Sequence, residues 1–324
     1  MDEAPAAVTP ITVKAIEAAR RRIAGTIVRT PLIKLQTGSE QPEIYLKLEN
    51  LQPINSFKLR GAANAVAMLP EDRRSLGVWT ISAGNAGQGV AYAARQAGVP
   101  CTVVTIETAP DTKVERMRAL GAQLVKASFD ECWEAMDRRT FPGVKGSFVH
   151  PFDDDDFIAG NATMGFEILE DLPEVETVIA AIGGGGLVTG LGSSVHARKP
   201  TARVFGAEPE TAAPGALSFS SSEPSKFEGW QATFVDGAGG KSIFPRMWER
   251  MRPVVDGSIV VTLDETKRAM RALAEKSRVI AEGAGALALA AALSGKGGRG
   301  PIVAVVSGGN IELATFCELI GSVS

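Results

Sequence analysis

The sequence predicts an α/β protein built on doubly wound parallel sheets, and three observations support that prediction. Short β-branched runs alternate along the chain with helical runs. The strand segments are apolar throughout instead of alternating, which is typical of parallel strands covered by helices on both faces. Three strand-to-helix turns are rich in glycine. Because such sheets bind ligands at the carboxyl ends of their strands, these turns are candidate sites.

The elements form two successive series. In the first series, strands are predicted at 77–82, 101–106 and 123–127, with helices through YAARQAG, at 113–121 and at 131–139. In the second, strands are predicted at 177–182, 202–209, 259–263 and 301–306, with helices at 187–198 and 264–278. Linkers are expected near Pro53 and Pro151. They would enclose a small α/β domain at 54–150, inserted into a large domain made of 1–53 and 151–324.

Composition limits the class of protein. The 324 residues are 45% hydrophobic and 22% charged with a net charge of −3, which suits a soluble enzyme of two domains. No basic surplus supports a nucleic-acid partner. The start, MDEAPAAVTP, is acidic and lacks the apolar core of a signal peptide. The longest apolar run, at 284–293, is too short to cross a membrane.

The three cysteines are widely separated and odd in number. Such cysteines indicate reduced thiols and not a disulfide framework. We therefore expect a cytoplasmic protein without membrane or nucleic-acid partners.

The glycine-rich turns lie at 80–89, 180–190 and 304–310. The four consecutive glycines Gly183 to Gly186 let backbone N–H groups converge at the positive end of the following helix, which is suited to a phosphate. Two nucleotide motifs are rejected. GAGALA at 283–288 lacks a good preceding strand and a following acidic residue, and SGKGG at 294–298 has glycine where a P-loop needs Ser or Thr.

Other catalytic signatures are weak. His150 and His196 have no partner at metal-ligand spacing, so both are interpreted as structural or surface residues. The acidic run Asp153 to Asp156 is expected to cap a helix beginning near Phe157. No G-x-S-x-G motif supports a serine hydrolase.

The stretch QPINSFKLRGA, residues 52–62, allows two interpretations of Lys58. In one, Asn55 or Ser56 caps a helix and Lys58 faces solvent. In the other, Lys58 is the amine that pyridoxal 5′-phosphate requires for a Schiff base. The cofactor also needs an anion cradle and a group facing its pyridine nitrogen, for which Gly183–Gly186 and Ser307 are candidates.

The ensemble of motifs resembles the fold-type II pyridoxal-phosphate enzymes, specifically the serine/threonine dehydratase and serine racemase group, with a fold like that of the tryptophan synthase β-subunit. The matching motifs are SFKLRGA, SAGNAGQG, HPFDDDDFIAGN, GGGGLVTG, GAEPE and VVSGGN, in the family's order from about residue 12 to 315. The resemblance favours the Schiff-base interpretation of Lys58, which is the predicted catalytic residue.

The resemblance implies a cofactor-binding set. Phe57 packs beside the cofactor, Asn85 binds its phenolic oxygen, a family acid corresponds to Glu282, and Ser307 faces the ring nitrogen. The full set is Phe57, Lys58, Asn85, Gly183, Gly184, Gly185, Gly186, Leu187, Glu282 and Ser307.

The resemblance also implies a substrate-binding turn after the first strand of the small domain. Its residues are Ser82, Ala83, Gly84, Asn85, Ala86 and Gln88, joined by Trp133 where serine racemases carry an arginine. Racemases have a serine at the position of Ala83, so racemisation is not expected. Ala86 replaces the family's usual histidine, which together with Trp133 suggests a roomier, more apolar pocket.

The expected activity is the loss of water from a β-hydroxy amino acid of the threonine/serine type, giving a 2-oxo acid and ammonia, as in amino-acid catabolism. An alternative is a phenylserine dehydratase or another dehydratase for a bulky substrate. An amino-acid racemase and a non-catalytic cofactor-binding protein remain as weaker alternatives. A homodimer is implied by the resemblance alone.

Two features of the family are not expected. Glu208 and Ala212 match part of a divalent-cation site of some relatives, but Pro214 stands where they have an aspartate. We therefore expect no metal. The chain ends soon after Ser307, which leaves no room for the regulatory domain of biosynthetic threonine dehydratases.

Overall fold

A computed structural model describes residues 8–36, 42–109 and 111–323 of the chain. The chain folds into two compact units. One contains the N-terminal segment through Val28 and residues 58–161, and the other contains residues 29–57 and the chain from Ala162 onwards. The first seven residues of the acidic start, for which no signal peptide is expected, lie outside the described ranges.

Helices and strands alternate through most of the chain. The strands are β1 (Leu32–Lys34), β2 (Ile44–Leu48), β3 (Val78–Ile81), β4 (Cys101–Ile106), β5 (Gln123–Ala127), β6 (Ser147–Phe148), β7 (Thr177–Ala181), β8 (Arg203–Pro209), β9 (Gly257–Val261) and β10 (Ile302–Val306). The helices are α1 (Val13–Ile23), α2 (Lys58–Ala67), α3 (Asn85–Ala97), α4 (Asp111–Ala119), α5 (Phe129–Arg138), α6 (Asp155–Asp171), α7 (Gly186–Arg198), α8 (Pro214–Ser221), α9 (Pro245–Met251), α10 (Leu263–Ser277), α11 (Gly283–Leu293) and α12 (Leu313–Gly321).

The first unit contains a parallel sheet in the order β5-β4-β3-β6. Helices α2 and α3 pack closely together in this unit. Small residues permit this approach: a side chain at Gly89 would come within 3.2 Å of the Lys58 carbonyl oxygen. The turns after β3 and β4 lie at one edge of the sheet because the two strands are parallel and neighbouring.

The second unit contains a six-stranded sheet in the order β1-β2-β10-β7-β8-β9. All neighbouring pairs are parallel except β1 with β2. Helix α11 is almost wholly apolar, and its residues from Gly283 to Ala292 are buried against this sheet. Its alanines keep the helix thin enough to lie flat on the β-strands, which are themselves buried on both faces.

The predicted fold class is confirmed, and the predicted strands match the observed ones to within two residues in β3–β5 and β7–β10. The acidic run also behaves as expected: α6 begins at Asp155, and the Asp154 carboxylate accepts a hydrogen bond from the Phe157 N–H at 2.8 Å. None of the helices in the described ranges combines the length and apolar character needed to cross a membrane.

The observed division differs from the expected domain boundaries at its ends. The chain passes between units at Val28, Phe57 and Asn161, where breaks were expected near Pro53 and Pro151. The N-terminal helix α1 belongs to the smaller unit, because Ile23 is buried in the same apolar cluster as Ala62 and Val66. Proline marks a turn in sequence, whereas a unit boundary follows packing, which depends on distant residues.

A buried ion pair crosses the second unit. The ammonium of Lys47, on β2, donates to Glu167 of α6 and to the Thr30 carbonyl, both at 2.7 Å. The side chains of Lys47 and Glu167 are 0% and 4% exposed. A carboxylate enclosed in this way depends on its cation, because water cannot replace it.

Replacement of Lys47 by Met should lower the free energy of unfolding by about 3–5 kcal/mol, because the Glu167 carboxylate would stay buried without the lysine. The double variant Lys47→Met/Glu167→Leu should recover much of this loss. Urea unfolding of both variants measures the effect. A single variant as stable as the wild type would contradict this interpretation of the pair.

Candidate active site

The chain segment before Lys58 is tied by its backbone to the end of β10. The Phe57 N–H donates to the Ser307 carbonyl at 3.0 Å, and the Gly309 N–H donates to the Asn55 carbonyl at 2.9 Å. Ser56 and Gly308 form an isolated antiparallel bridge. The Asn310 side-chain amide adds a bond to the Ile54 carbonyl at 2.8 Å. The residue that precedes Lys58 is therefore held in register with Ser307.

Lys58 is the first residue of helix α2 and is half-buried. The interpretation in which Lys58 faces solvent is therefore not supported. Its ammonium donates to the Pro151 carbonyl at 2.7 Å and lies 5.4 Å from the centre of the Phe157 ring. The residue is half-buried, and desolvation of the amine lowers the pKa of Lys58 from 10.5 to about 8. At neutral pH about a tenth of this amine is unprotonated, far more than for an ordinary lysine.

The turn after β3 leads into the N-terminus of α3. Gly84 is the N-cap, its N–H donates to the Ser82 hydroxyl at 3.1 Å, and Asn85 is the first helical residue. Ser82, Ala83, Gly84 and Asn85 are half-buried, whereas Ala86 and Gln88 are buried. The Gln88 Nε2 has no hydrogen-bond partner within the described residues. The first N–H groups of a helix also lack intrahelical partners, so this turn offers several donors to an anion.

The four-glycine turn joins β7 to α7 in the second unit. Gly185 is the N-cap of α7 with a φ of 87°, a left-handed conformation that glycine adopts without strain. Gly183 and Gly184 are half-buried, and Gly186 and Leu187 are buried. A Cβ at Gly183 would lie 3.1 Å from the Gly237 carbonyl oxygen. The turn is therefore a narrow cradle of backbone donors at the positive end of a helix.

Ser307 and Glu282 lie in the same unit as the glycine turn. The Ser307 side chain is 4% exposed, and its hydroxyl is 3.4 Å from the Ala284 carbonyl, a long hydrogen bond. Glu282 is 5% exposed and is the N-cap of α11. The Glu282 N–H donates to the Gly308 carbonyl at 3.1 Å, which ties α11 to the turn after β10.

Trp133 lies on α5 in the first unit and is 39% exposed. Its ring stacks on that of Phe129, one helical turn earlier, with centroids 5.9 Å apart and an interplanar angle of 14°. Phe129 is itself 49% exposed. The helix begins directly after β5, so the pair lies near the sheet edge that also carries the β3 turn.

Both oxygens of the Glu208 carboxylate are used within the protein. They accept the N–H groups of Gly215 and Ala216 at 2.8 Å and the Ser258 hydroxyl at 2.6 Å. Burial raises the pKa of Glu208 to about 7, against the opposing effect of these bonds. Pro214 is the first residue of helix α8, so Glu208 caps that helix. The Glu208 carboxylate thus already accepts three hydrogen bonds, and no group of three or more His, Cys, Asp or Glu residues in the described ranges is placed to hold a metal.

Sequence reasoning missed several contacts of Lys58 and of the glycine turn. Pro151 and Phe157 lie in the matched motif HPFDDDDFIAGN, but nothing in that motif indicated that the Pro151 carbonyl and the Phe157 ring lie beside the Lys58 ammonium. Gly237 stands behind Gly183, and only the Asp-Gly pair at 236–237 marks a turn there.

These features define a class: an α/β protein with a desolvated lysine amine and a phosphate-type cradle at the start of a helix. The chain belongs to the family of pyridoxal-phosphate-dependent enzymes, whose family model matches residues 23–308. The chain thus has pyridoxal 5′-phosphate as its cofactor, in agreement with the sequence prediction.

Several members of this family with known names are similar to the chain. The chain is 40% identical over 315 residues to the L-threonine ammonia-lyase of Thermotoga maritima, covering 96% of this chain and 78% of that protein. Its fold is similar to maize serine racemase, with a TM-score of 0.89, 31% identity and coverage of 97% and 98%. It is also similar to the serine racemase of Dictyostelium discoideum, with a TM-score of 0.86, 34% identity and coverage of 94% and 99%. A solved threonine deaminase has the same TM-score of 0.86 and 34% identity, with coverage of 93% and 99%.

The groups present fit this cofactor. An amine of lowered pKa can add to an aldehyde, and the turn at Gly183–Gly186 presents backbone N–H groups at the positive end of α7, where an anion binds. The hydroxyl of Thr189, on the first turn of α7, is buried without a partner in the part of the chain described. Backbone N–H groups and a hydroxyl at the start of a helix are donors that suit a doubly charged phosphate.

Cofactor uptake should depend on pH through the Lys58 amine. Only the unprotonated amine adds to an aldehyde, so the uptake rate should rise about tenfold per pH unit below pH 8 and level off above it. Stopped-flow absorbance after mixing protein freed of cofactor with pyridoxal phosphate measures this rate. A free primary amine of ordinary pKa, followed over the same pH range, corrects for titration of the cofactor. A flat profile from pH 6 to 9 would contradict the assignment of the Lys58 pKa.

Divalent cations should not stabilise the protein, because both Glu208 oxygens already accept hydrogen bonds. Dialysis against a chelator, or addition of millimolar Mg²⁺ or Ca²⁺, should leave the Tm unchanged, whereas a bound ion would raise it by mass action. The opposite result would be a cation-dependent rise in Tm that disappears in Glu208→Gln.

Proposed function

We propose that the protein is a pyridoxal-phosphate-dependent dehydratase that converts a β-hydroxy amino acid of the threonine/serine type to a 2-oxo acid and ammonia. The observation that carries this choice is the pair of Lys58 and Ala83. Lys58 offers one amine of lowered pKa as a base, and Ala83 offers no second group that could return a proton. Elimination needs one base, whereas racemisation needs an acid on the opposite face of Cα. The named threonine ammonia-lyase and threonine deaminase relatives support the same reaction.

We assign the cofactor contacts as follows. The backbone amides from Gly183 to Leu187 hold the phosphate, and Lys58 holds the aldehyde carbon. The Asn85 amide binds the ring hydroxyl, and Phe57 packs beside the ring. Ser307 faces the ring nitrogen, with Glu282 as a nearby acid. The bonds between residues 54–57 and 307–310 support the pairing of Phe57 with Ser307 in this assignment.

When bound, the cofactor withdraws electrons from the substrate Cα and so makes its proton acidic. Lys58 accepts that proton at Nζ, and the lowered pKa of Lys58 suits a base that works near neutral pH. The electron pair released at Cα forms the Cα–Cβ double bond, and the hydroxyl leaves Cβ with a proton as water. The enamine that is released tautomerises and is hydrolysed by water to the 2-oxo acid and ammonia. Because Ser307 is neutral, it does not favour a protonated ring nitrogen, which suits elimination over reactions that need a long-lived carbanion.

The turn from Ser82 to Gln88 binds the substrate carboxylate in this proposal. Its support is the set of donors at the start of α3: backbone N–H groups, the Asn85 amide and the buried Gln88 Nε2. The positive end of the helix adds an attraction of about 0.3–1 kcal/mol for a negative charge.

A dehydratase for a bulky substrate such as phenylserine is the second candidate. The observation that favours it is the stacked, exposed pair of Phe129 and Trp133 near the same sheet edge as the β3 turn, together with the small side chain of Ala86. Aromatic surface of this kind would favour a phenyl group over a methyl group by about 1–3 kcal/mol.

Two further proposals concern the setting of the enzyme. A homodimer rests on the family resemblance and is tested by light scattering of the purified protein. A cytoplasmic location rests on the three free cysteines, of which Cys101 and Cys132 are buried. Burial raises the pKa of the Cys101 thiol to about 12, so this cysteine is chemically inert.

The decisive experiment is ammonia release from a panel of L-serine, D-serine, L-threonine, L-threo-phenylserine and threo-3-hydroxyaspartate. We expect L-threonine or L-serine to give the highest kcat/KM, with no racemisation of the remaining substrate by polarimetry. Lys58→Ala should lose the visible absorbance of the bound cofactor and at least about 10³-fold in kcat, while its circular dichroism stays native.

Preference for phenylserine would select the second candidate instead. In that case Trp133→Ala should reduce the preference for phenylserine over threonine, and the exposed Leu76→Ala should serve as the neutral control. Loss of optical activity in the unreacted substrate would favour a racemase. Absence of any cofactor spectrum would favour a non-catalytic protein and overturn the proposal.

A further inference from the structure

A closed loop stands behind the glycine turn in the second unit. Its ends meet where Lys226 and Ser242 form an isolated antiparallel bridge. The Phe227 N–H donates to the Lys241 carbonyl at 2.8 Å, and the Ile243 N–H donates to the Ser225 carbonyl at 3.2 Å. We call residues 226–242 the backing loop. Compact loops with joined ends hold their shape through their own side chains, so its interior contacts matter.

The backing loop touches the glycine turn at two points. The Gly239 N–H donates to the Ile182 carbonyl at 2.9 Å, directly before Gly183. The Gly237 carbonyl oxygen lies 3.1 Å from the position that a Gly183 Cβ would take. A displacement of the backing loop would therefore release one wall of the cradle.

Gly239 can make this contact only in an unusual backbone conformation. Its φ is +72°, and a Cβ there would lie 2.7 Å from the Ala212 Cβ. A glycine in this conformation has little intrinsic preference for it, because the residue is flexible in the unfolded chain. Another group must hold the peptide in place.

Trp230 is that group. Its indole N–H donates to the Gly239 carbonyl at 3.2 Å, so the two sides of Gly239 are bonded to Ile182 and to Trp230. The ammonium of Lys241 lies 4.7 Å from the centre of the Trp230 ring, within range of a cation–π interaction. The neighbouring Gln231 N–H donates to the Thr211 carbonyl at 3.0 Å, which anchors the chain beside the indole.

We propose that Trp230 is a positioning residue for the phosphate-binding turn: its indole holds Gly239, and Gly239 holds the turn at Ile182 and Gly183. The ring is 37% exposed, so simple burial does not account for a tryptophan at this position. The inference rests on the assignment of Gly183–Leu187 to the cofactor phosphate in the proposed function. It adds a residue that touches neither cofactor nor substrate.

The test compares two ligands that differ only in the phosphate. Protein freed of cofactor is titrated calorimetrically with pyridoxal phosphate and with pyridoxal, and the ratio of the two dissociation constants is measured. For Trp230→Ala we expect the affinity for pyridoxal phosphate to fall about tenfold with little change for pyridoxal, because one tether of the turn is lost. Trp230→Phe keeps the ring beside Lys241 but loses the N–H donor, and it should show about half of that effect on a logarithmic scale.

The control variant is Leu217→Ala, an exposed apolar residue on α8 of the same unit, which should leave both constants unchanged. An equal loss for both ligands in the Trp230 variants would indicate a general structural role and overturn the inference, and so would no loss at all. If Trp230→Ala does not fold, Trp230→Phe decides by the same criteria.

The same dissociation constants distinguish a failure of the proposed role of Trp230 from a failure of the assignment of Gly183–Leu187 to the cofactor phosphate. If the wild-type protein binds pyridoxal as tightly as pyridoxal phosphate, the assignment of the glycine turn fails, and the role of Trp230 falls with it. If the wild type prefers the phosphorylated ligand and both Trp230 variants keep the same ratio, the glycine turn stands and only the role of Trp230 is refuted.

Discussion

The backbone bonds between residues 54–57 and 307–310 fix the chain segment that leads directly into Lys58. They join an early turn of the chain to the end of β10, so that Phe57 is held beside Ser307 by main-chain atoms. Lys58 follows at once as the first residue of α2. Main-chain bonds and one bond from the Asn310 side chain together set this register. The chemistry of the lysine can then be adjusted separately, through the desolvation that lowers the pKa of Lys58.

Close approach between backbone segments explains why glycines are frequent near the candidate site. Gly89 brings α3 against the carbonyl of Lys58, and Gly183 lies against Gly237. Gly183 precedes the first N–H groups of α7, and Gly89 lies within α3. A side chain at either position would push the two backbones apart. Small side chains have a similar effect in α11, where alanines allow a buried helix to pack closely on the sheet.

The sequence was sufficient to predict the parts of the fold that follow from local pattern. The apolar β-branched runs at 101–106 and 302–306 form buried strands, and Gly183–Gly185 form the turn that leads into α7 at Gly186. The strands β1, β2 and β6 were not predicted. The three and two residues of β1 and β6 are strands only through their partners. Likewise the contacts that Pro151, Phe157 and Trp230 make have no local signal in the sequence. Their roles depend on contacts with residues distant in the chain, which no periodicity encodes.

The position of β10 has a consequence for the order in which the molecule is made. This strand lies between β2 and β7 at the centre of the six-stranded sheet, yet it is the last of the described strands to leave the ribosome. The smaller unit, by contrast, is complete once the chain has been synthesised as far as Asn161. The larger unit must wait, with the apolar α11 lacking part of the sheet it covers, until residues 302–306 are available. The central position of the sheet therefore stays open until residues 302–306 are available, and the turn that carries Ser307 forms at the same step.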